Sequence, residues 1–229
     1  MRVELEAAYI LHTRAYRESS LLVYALTAEH GVVHLISRAA KKKHGNMIQP
    51  LTKCYLTWSG KGSLLSLNKV ELEHSKYTRN FRSHVQCLYI HELLLRLVPE
   101  RSPAPELFDL YEQTLEKMLK SPTDEGCLRA FELELLAIIG HPLQLDFDYQ
   151  NNLAVEAEQY YRYVPDAGPV LSAGLNQTWD SLTGRALLDM AAGDFRTENL
   201  PAMKRFLRGL LEFYLRGKPV LTRQLLKVN

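Results

Sequence analysis

The residues of this chain best equipped for chemistry are cations. Arg38, Lys41, Lys42, Lys43 and His44 follow the aliphatic run GVVHLIS that begins at Gly31, with no acid among them. Four fixed positive charges carried by a strand into one loop create a local field, and the commonest partner for such a field is a polyanion. A solvated surface loop accounts for a short lysine run equally well, so the rest of the chain must decide. Sets of residues that make or break bonds are missing. The sequence has no GxxxxGK[ST] loop, no GxGxxG after a strand, no GxSxG elbow and no HExxH pair. Glu132 and Glu134, like Asp146 and Asp148, stand two residues apart, which on a helix puts them on different faces and weakens a shared acid–base role. The eight histidines are scattered, and His30, His34, His84 and His91 read as surface or core residues. No CxxC or Cys/His cluster has the spacing of a tetrahedral metal site. The expectation is a binding protein that is not an enzyme and uses no metal or cofactor.

Charge is distributed unevenly over the 229 residues. Residues 1–80 hold 12 Lys and Arg against 6 Asp and Glu, residues 81–198 hold 9 against 19, and residues 199–229 hold 7 against 1. Basic ends around an acidic middle suggest that a polyanion-facing surface is kept apart from a different one. No apolar run approaches the roughly 18–20 residues that span a bilayer, and MRVELEAAYI carries acids where a leader would carry a basic region. Cys54, Cys87 and Cys127 are far apart in apolar settings, as reduced core thiols are. These features describe a soluble cytoplasmic protein without a membrane partner.

The elements that must carry the cations change character near Ser75. Before it, AAYILHT, SSLLVYALT, GVVHLIS, LTKCYLTW and SLLSLNKVEL read as five short strands separated by RAYRE, AEHG and SGKG. Five strands in about 70 residues suggest a small antiparallel barrel, for which the OB-fold is the frequent solution. Arg14, Arg17 and Lys61 lie in its linkers, with Tyr9, Tyr16, Tyr24, Tyr55 and Trp58 interleaved. Cations track phosphates and bases stack on rings, so this mixture matches single-stranded nucleic acid, although aromatics in small barrels are more often core.

Beyond Ser75 the period becomes helical. Val85 to Leu97, the stretch from Ala104 and Pro105 to Met118, and Leu128 to Ile138 form three apolar-faced helices, stopped by Pro99, by Pro122-Thr123 and by Gly140. Residues 141–175 read as a hairpin or irregular insert, and Thr178 to Ala192 as a further helix. A last helix follows Asn199, with Met203, Phe206, Leu207, Leu210, Phe213 and Tyr214 as its buried face and Lys204, Arg205, Arg208 and Arg216 left over. The expected organisation is α+β: an OB-fold domain over 1–80, carrying the nucleic-acid-like surface, and a mainly helical domain over 81–229.

Three blocks together resemble the RecO family of bacterial recombination mediators. AYILHTRAYRESSLLVYALTAEHGVVHLISRAAKKK is similar to the family's opening barrel segment with its Thr-Glu-x-x-Gly turn and basic run. RAFELELLAIIGHPLQLD resembles the helix that leads to its Leu-Gly corner, and RGKPVLTRQLL its Gly-Lys-Pro-Leu-x-Ser-Arg ending, with Thr222 in place of Ser. The resemblance implies binding of single- and double-stranded DNA, annealing of complementary strands, and work with RecR that lets RecA load on DNA covered by the single-strand binding protein SSB. It also implies nucleoid association and docking of the acidic SSB C-terminal tail on the helical domain. By matching motifs, Arg129, Lys204 and Arg205 are the residues expected at that tail. Arg14, Arg17, Arg38, Lys41, Lys42 and Lys43 are expected to neutralise DNA phosphates, with Lys218 and Arg223 in support. Many relatives carry zinc-binding cysteines after the GHPLQLD corner; Phe147 and Asp148 stand there instead, so the insert is expected to be a degenerate zinc ribbon held by hairpin contacts. A different class of function, an adaptor that binds acidic peptides and never DNA, is compatible with the same cations.

Overall fold

The structure is a computed structural model that describes residues 1–38, 47–75, 81–121, 124–195 and 198–225. Alternation builds the barrel. Ala8 and Ile10, Val23 and Ala25, Val33 and Leu35, Cys54, Leu56 and Trp58, and Leu65 and Leu67 recur at every second position and meet in one buried cluster. They lie on β1 (Arg2–Tyr16), β2 (Ser20–Thr27), β3 (Gly31–Ser37), β4 (Thr52–Ser59) and β5 (Leu65–Ser75). These strands close in the order β1-β2-β3-β5-β4, and closure removes the exposed edges that a sheet this small would otherwise leave. β3 and β5 pair in parallel, with Leu35 opposite Leu65 and Ile36 opposite Ser66.

β1 is longer than the sequence suggests, because RAY continues the strand and the chain turns only at Arg17–Ser19. One half of β1 pairs with β4 and the other with β2, so a single strand serves two sides of the barrel. Register shifts between Val3 and Glu6 and between Ile10 and His12 supply the bending this requires. The second shift leaves Leu11 as an extra residue. Ala8 and Ile10 therefore face the core, yet His12, Arg14 and Tyr16, of the same parity, face outward.

Helices α1 (Phe81–Leu97) and α2 (Pro105–Lys120) follow. Tyr9, on the outer side of β1, packs with its ring centroid 5.5 Å from that of Phe108 and 5.0 Å from that of Tyr111. Its hydroxyl donates to Glu112 Oε1 at 2.7 Å, which also accepts from Lys53 Nζ at 2.7 Å. α2 thus packs on Tyr9, near the middle of β1. The C-terminal segment returns to α1: Glu92 accepts from Leu221 N at 2.9 Å, Thr222 N at 2.8 Å and Thr222 Oγ1 at 2.7 Å, and pairs with Arg96 at 2.7 Å. Burial alone would raise the pKa of the Glu92 carboxyl, but the bonds from Thr222 and Leu221 and the charge of Arg96 outweigh it and hold the pKa below its ordinary value. Accordingly, Met1–Leu115 and Val220–Asn229 form one compact unit and Glu116–Pro219 another.

The second unit contains α3 (Gly126–Ile138), the strands β6 (Tyr160–Val164), β7 (Gly168–Ser172) and β8 (Ser181–Thr183), and the helices α4 (Gly184–Ala191) and α5 (Leu200–Tyr214). A sheet of order β7-β6-β8 occupies the region read as an insert and extends past it. The helix expected from Thr178 starts only at Gly184, since Ser181–Thr183 pair with β6 and Thr183 Oγ1 caps α4 by accepting from Ala186 N. On α5 the buried face is Met203, Phe206, Leu207, Leu210 and Leu211. Phe213, expected in that face, is 51% exposed on the last turn. No described helix is long and apolar enough to cross a membrane.

Asp148 ties the insert together. Buried to 3% exposure, its carboxylate accepts from Gln150 N at 2.7 Å, Asn151 N at 3.0 Å, Asn151 Nδ2 at 3.2 Å and Leu171 N at 3.0 Å, joining the 148–151 turn to β7. Burial favours the neutral acid, but the bonds from Asn151, Leu171 and Gln150 prevail and keep its pKa below the usual value. A depressed folded pKa gives stability that is present above the unfolded value of about 4 and is lost as pH falls through the folded one. Asp148→Ala should cost about 3 kcal/mol near neutral pH through the orphaned donors. That deficit should shrink in acid, as thermal denaturation at the two pH values would measure; a deficit independent of pH would remove the carboxylate's charge from the account.

Candidate nucleic-acid interface

The outer face of β1–β2–β3 is set by register. His12 lies opposite Tyr24 and Tyr24 opposite His34; Arg14 lies opposite Leu22 and Leu22 opposite Ile36; Tyr16 lies opposite Ser20. Arg38 is the first residue after β3 and Arg17 the first after β1, so both stand at the end of the sheet that holds Tyr16 and Ser20. Arg14, Arg17 and Arg38 are all exposed. Among the described residues none of the three has a carboxylate within ion-pairing distance, whereas Arg2, Lys53 and Lys69 pair with Glu4, Glu112 and Glu71. Arg17 adopts a left-handed φ of 52° and sets its guanidinium 5.3 Å from the Tyr16 ring centroid. Three unneutralised cations at one end of a sheet attract phosphate oxygens without the cost of breaking existing pairs.

Lys41, Lys42 and Lys43 lie outside the described residues. Lys61 is exposed, but its loop runs back from Leu65 toward the start of β3, where Arg101 Nη2 donates to the Ser63 carbonyl at 2.6 Å; it belongs to the other end of the barrel. The aromatics divide. Trp58 is in the core, Tyr9 lies under α2, and Tyr16 and Tyr24 remain on the open half of the outer face. Of the two cations expected in support, one is buried and the other exposed. Arg223 is 7% exposed and lies with its guanidinium 5.7 Å from the Tyr89 ring centroid, so it anchors the C-terminal segment and is not presented to a phosphate. Lys218 is exposed in the second unit.

The three residues matched to a peptide tail differ in exposure. Arg129 is 4% exposed, with Nη2 donating to the buried Glu132 at 2.6 Å one helical turn away; it is turned inward and stabilises α3 from within. Lys204 and Arg205 line a cavity of about 330 Å3 on the second unit, together with Trp179, Pro201, Arg208 and Glu212. Lys204 pairs with Glu125 at 2.6 Å, and Arg205 donates to the Ser181 carbonyl at 3.2 Å. Gly209 lets Trp179 lie against α5, since a Cβ there would sit 2.3 Å from the indole. Sequence reasoning left Arg208 with the pair on the polar side of the same helix but missed Trp179, which is distant in sequence, as their neighbour.

His91 is buried, its Nε2 2.6 Å from the Tyr111 hydroxyl, and desolvation drives its pKa to about 3, so it is a neutral core histidine. Burial raises the Cys54 thiol to about 12 and the Cys127 thiol to about 11, which leaves both unreactive.

Comparison with known proteins is consistent over the whole chain. The family profile described as Recombination protein O N terminal matches residues 1–76, and that described as Recombination protein O C terminal matches residues 85–224. Among similar proteins, the DNA repair protein RecO of Nitrosococcus oceani is 35% identical over 231 residues, covering 99% of this chain and 94% of the relative. That of an Azoarcus species is 32% identical over 236 residues, covering 99% and 96%, and that of Coxiella burnetii is 34% identical over 229 residues, covering 98% of each. The chain belongs to the recombination protein O family.

Proposed function

We propose that this chain is a DNA repair protein that binds single- and double-stranded DNA, anneals complementary strands, and with RecR promotes loading of RecA on SSB-coated single strands. The observation that carries the reading is the cluster of Arg14, Arg17 and Arg38, exposed and without acidic partners among the described residues, beside Tyr16 and Tyr24 on one half of a closed five-stranded barrel. Cations bring phosphates to the barrel, and rings accept bases that are not already stacked in a duplex. Annealing needs no bond chemistry: neutralising two like-charged strands at one surface lowers the repulsion that slows their meeting. The chain therefore acts without catalysis. The cavity edged by Lys204, Arg205 and Arg208 suits an acidic tail ending in phenylalanine, the cations taking carboxylates and Trp179 the ring.

Fluorescence anisotropy with a labelled oligonucleotide, followed by annealing of complementary strands with and without an SSB coat, tests the proposal. Binding that weakens as salt rises, together with annealing that survives the coat, is expected. An adaptor for acidic peptides would instead bind a labelled acidic peptide and ignore oligonucleotides at low ionic strength, which would overturn the reading.

A further inference from the structure

The corner after α3 and the end of α4 enclose a second cavity in the Glu116–Pro219 unit, of about 290 Å3. Its floor is apolar: Leu133 and Ala137 come from α3, Leu143 and Leu145 from the corner, and Met190 from α4. The walls are set by backbone bonds. Past the end of α3, Ile139 N donates to the Leu135 carbonyl at 3.1 Å and His141 N to the Leu136 carbonyl at 2.8 Å, while Val155 N donates to the Asp146 carbonyl at 2.8 Å. These bonds hold the corner against the helix before any ligand arrives. Aliphatic linings of this kind receive an apolar group.

The rim has the opposite sign from the arginine cluster on the barrel. Glu134 and Asp146 line the cavity and are exposed, and no Lys or Arg lines it. Gln144 Nε2 donates to Asp146 Oδ1 at 2.6 Å, which orients the carboxylate without neutralising it. Among the described residues neither acid has a cation within ion-pairing distance, whereas Glu92 and Glu112 pair with Arg96 and Lys53. A phosphate chain or an acidic tail is repelled at such a rim, so neither ligand proposed above belongs here. The carboxylates favour cations and the floor favours a hydrocarbon side chain. The bias of residues 81–198, 9 Lys and Arg against 19 Asp and Glu, extends the same preference around them.

We propose that this groove docks a basic segment of a partner protein: one aliphatic or phenyl side chain enters between Leu133, Leu143 and Met190, and flanking arginines or lysines pair with Glu134 and Asp146. A small polyamine would supply the cations but no side chain to fill the floor, so the peptide is the better match. The site does not depend on the DNA-binding reading. Its ligand competes with neither DNA nor an acidic tail for the same charges, so the chain can hold a basic partner while its cationic surfaces are occupied.

The test is a library of short linear peptides displayed on phage and panned on the full chain and on Ala137→Trp, in which an exposed position gains a ring that fills the groove. Sequences enriched on the parent and lost on the variant should carry Leu, Ile or Phe beside Arg or Lys and lack acids. An empty set, or one that is acidic, would overturn the proposal. A synthetic peptide from that set should bind about tenfold more weakly to Glu134→Gln/Asp146→Asn, the scale of two exposed ion pairs. The isosteric pair keeps the test open if Ala137→Trp distorts the corner. The same double variant should leave binding of an oligodeoxythymidine and of an acidic peptide unchanged, which separates this site from the DNA reading. Equal affinity of parent and double variant for the basic peptide, or spermidine displacing it at equal concentration, would overturn the carboxylates' role or the peptide as occupant.

Discussion

Replacing Arg14, Arg17 and Arg38 together by glutamine is expected to lower affinity for single-stranded DNA about a hundredfold at low salt. It should also flatten the salt dependence by about two in the slope of log K against log salt. The slope follows from counterion release, at roughly 0.7 per phosphate contact on a single strand, so three lost contacts remove about 2. The affinity loss follows from losing three charge-assisted contacts that no acid among the described residues offsets. All three side chains are exposed, and none is ion-paired among the described residues, so the fold should be spared and the melting temperature nearly constant. Salt titrations of parent and variant measure both quantities. An unchanged slope would mean that the phosphates follow another path, with the lysine run at 41–43 the first place to look.

Gly31→Ala should destabilise the barrel unit by about 3 kcal/mol, a fall of about 10 °C in melting temperature for a chain of this size. Gly31 has a φ of +65°, and a Cβ built there would lie 2.1 Å from the Ser102 carbonyl oxygen. Neither side can retreat cheaply. The turn before Gly31 is fixed by Thr27 Oγ1, which donates to the Gly31 carbonyl at 2.8 Å, and by Glu6, which accepts from the amides of Glu29 at 2.8 Å and His30 at 3.1 Å. The neighbouring segment is fixed by Arg101 N, which donates to the Val32 carbonyl at 2.8 Å. Thermal denaturation followed by circular dichroism gives the number; a loss under about 1 kcal/mol would show that the 99–102 segment moves aside.

Much of this architecture could be read from the chain because alternation and helical periodicity are local. Five strand-like runs and the switch near Ser75 follow from residue types at spacings of two and of three to four. What could not be read was parity across β1. A two-residue period carried forward from Ala8 and Ile10 places His12, Arg14 and Tyr16 inside the barrel, and only the extra residue at Leu11 turns them out. Nothing in the composition of YILHT announces that insertion; it is required by closure of the barrel, a property of all five strands together. The same holds for Arg223 and Arg129. A basic residue in a family motif reads as a contact, but the partners that bury these two are Tyr89, 134 residues away, and Glu132 on the inward stripe of its own helix. Phe213 reads as core because it extends an apolar stripe, yet it falls at the stripe's margin on a final turn, where Leu211 takes the inward position.

The clasp between Glu92 and the Leu221–Thr222 segment has a consequence for biosynthesis. The barrel and α1 emerge from the ribosome long before the residues that complete their unit, because the whole of Glu116–Pro219 is translated in between. At about 5–20 residues per second, the nascent barrel waits on the order of ten seconds with the Glu92 carboxylate lacking its C-terminal donors. A ribosome stalled before Thr222 would therefore display a first unit that is more open to proteases than the released chain.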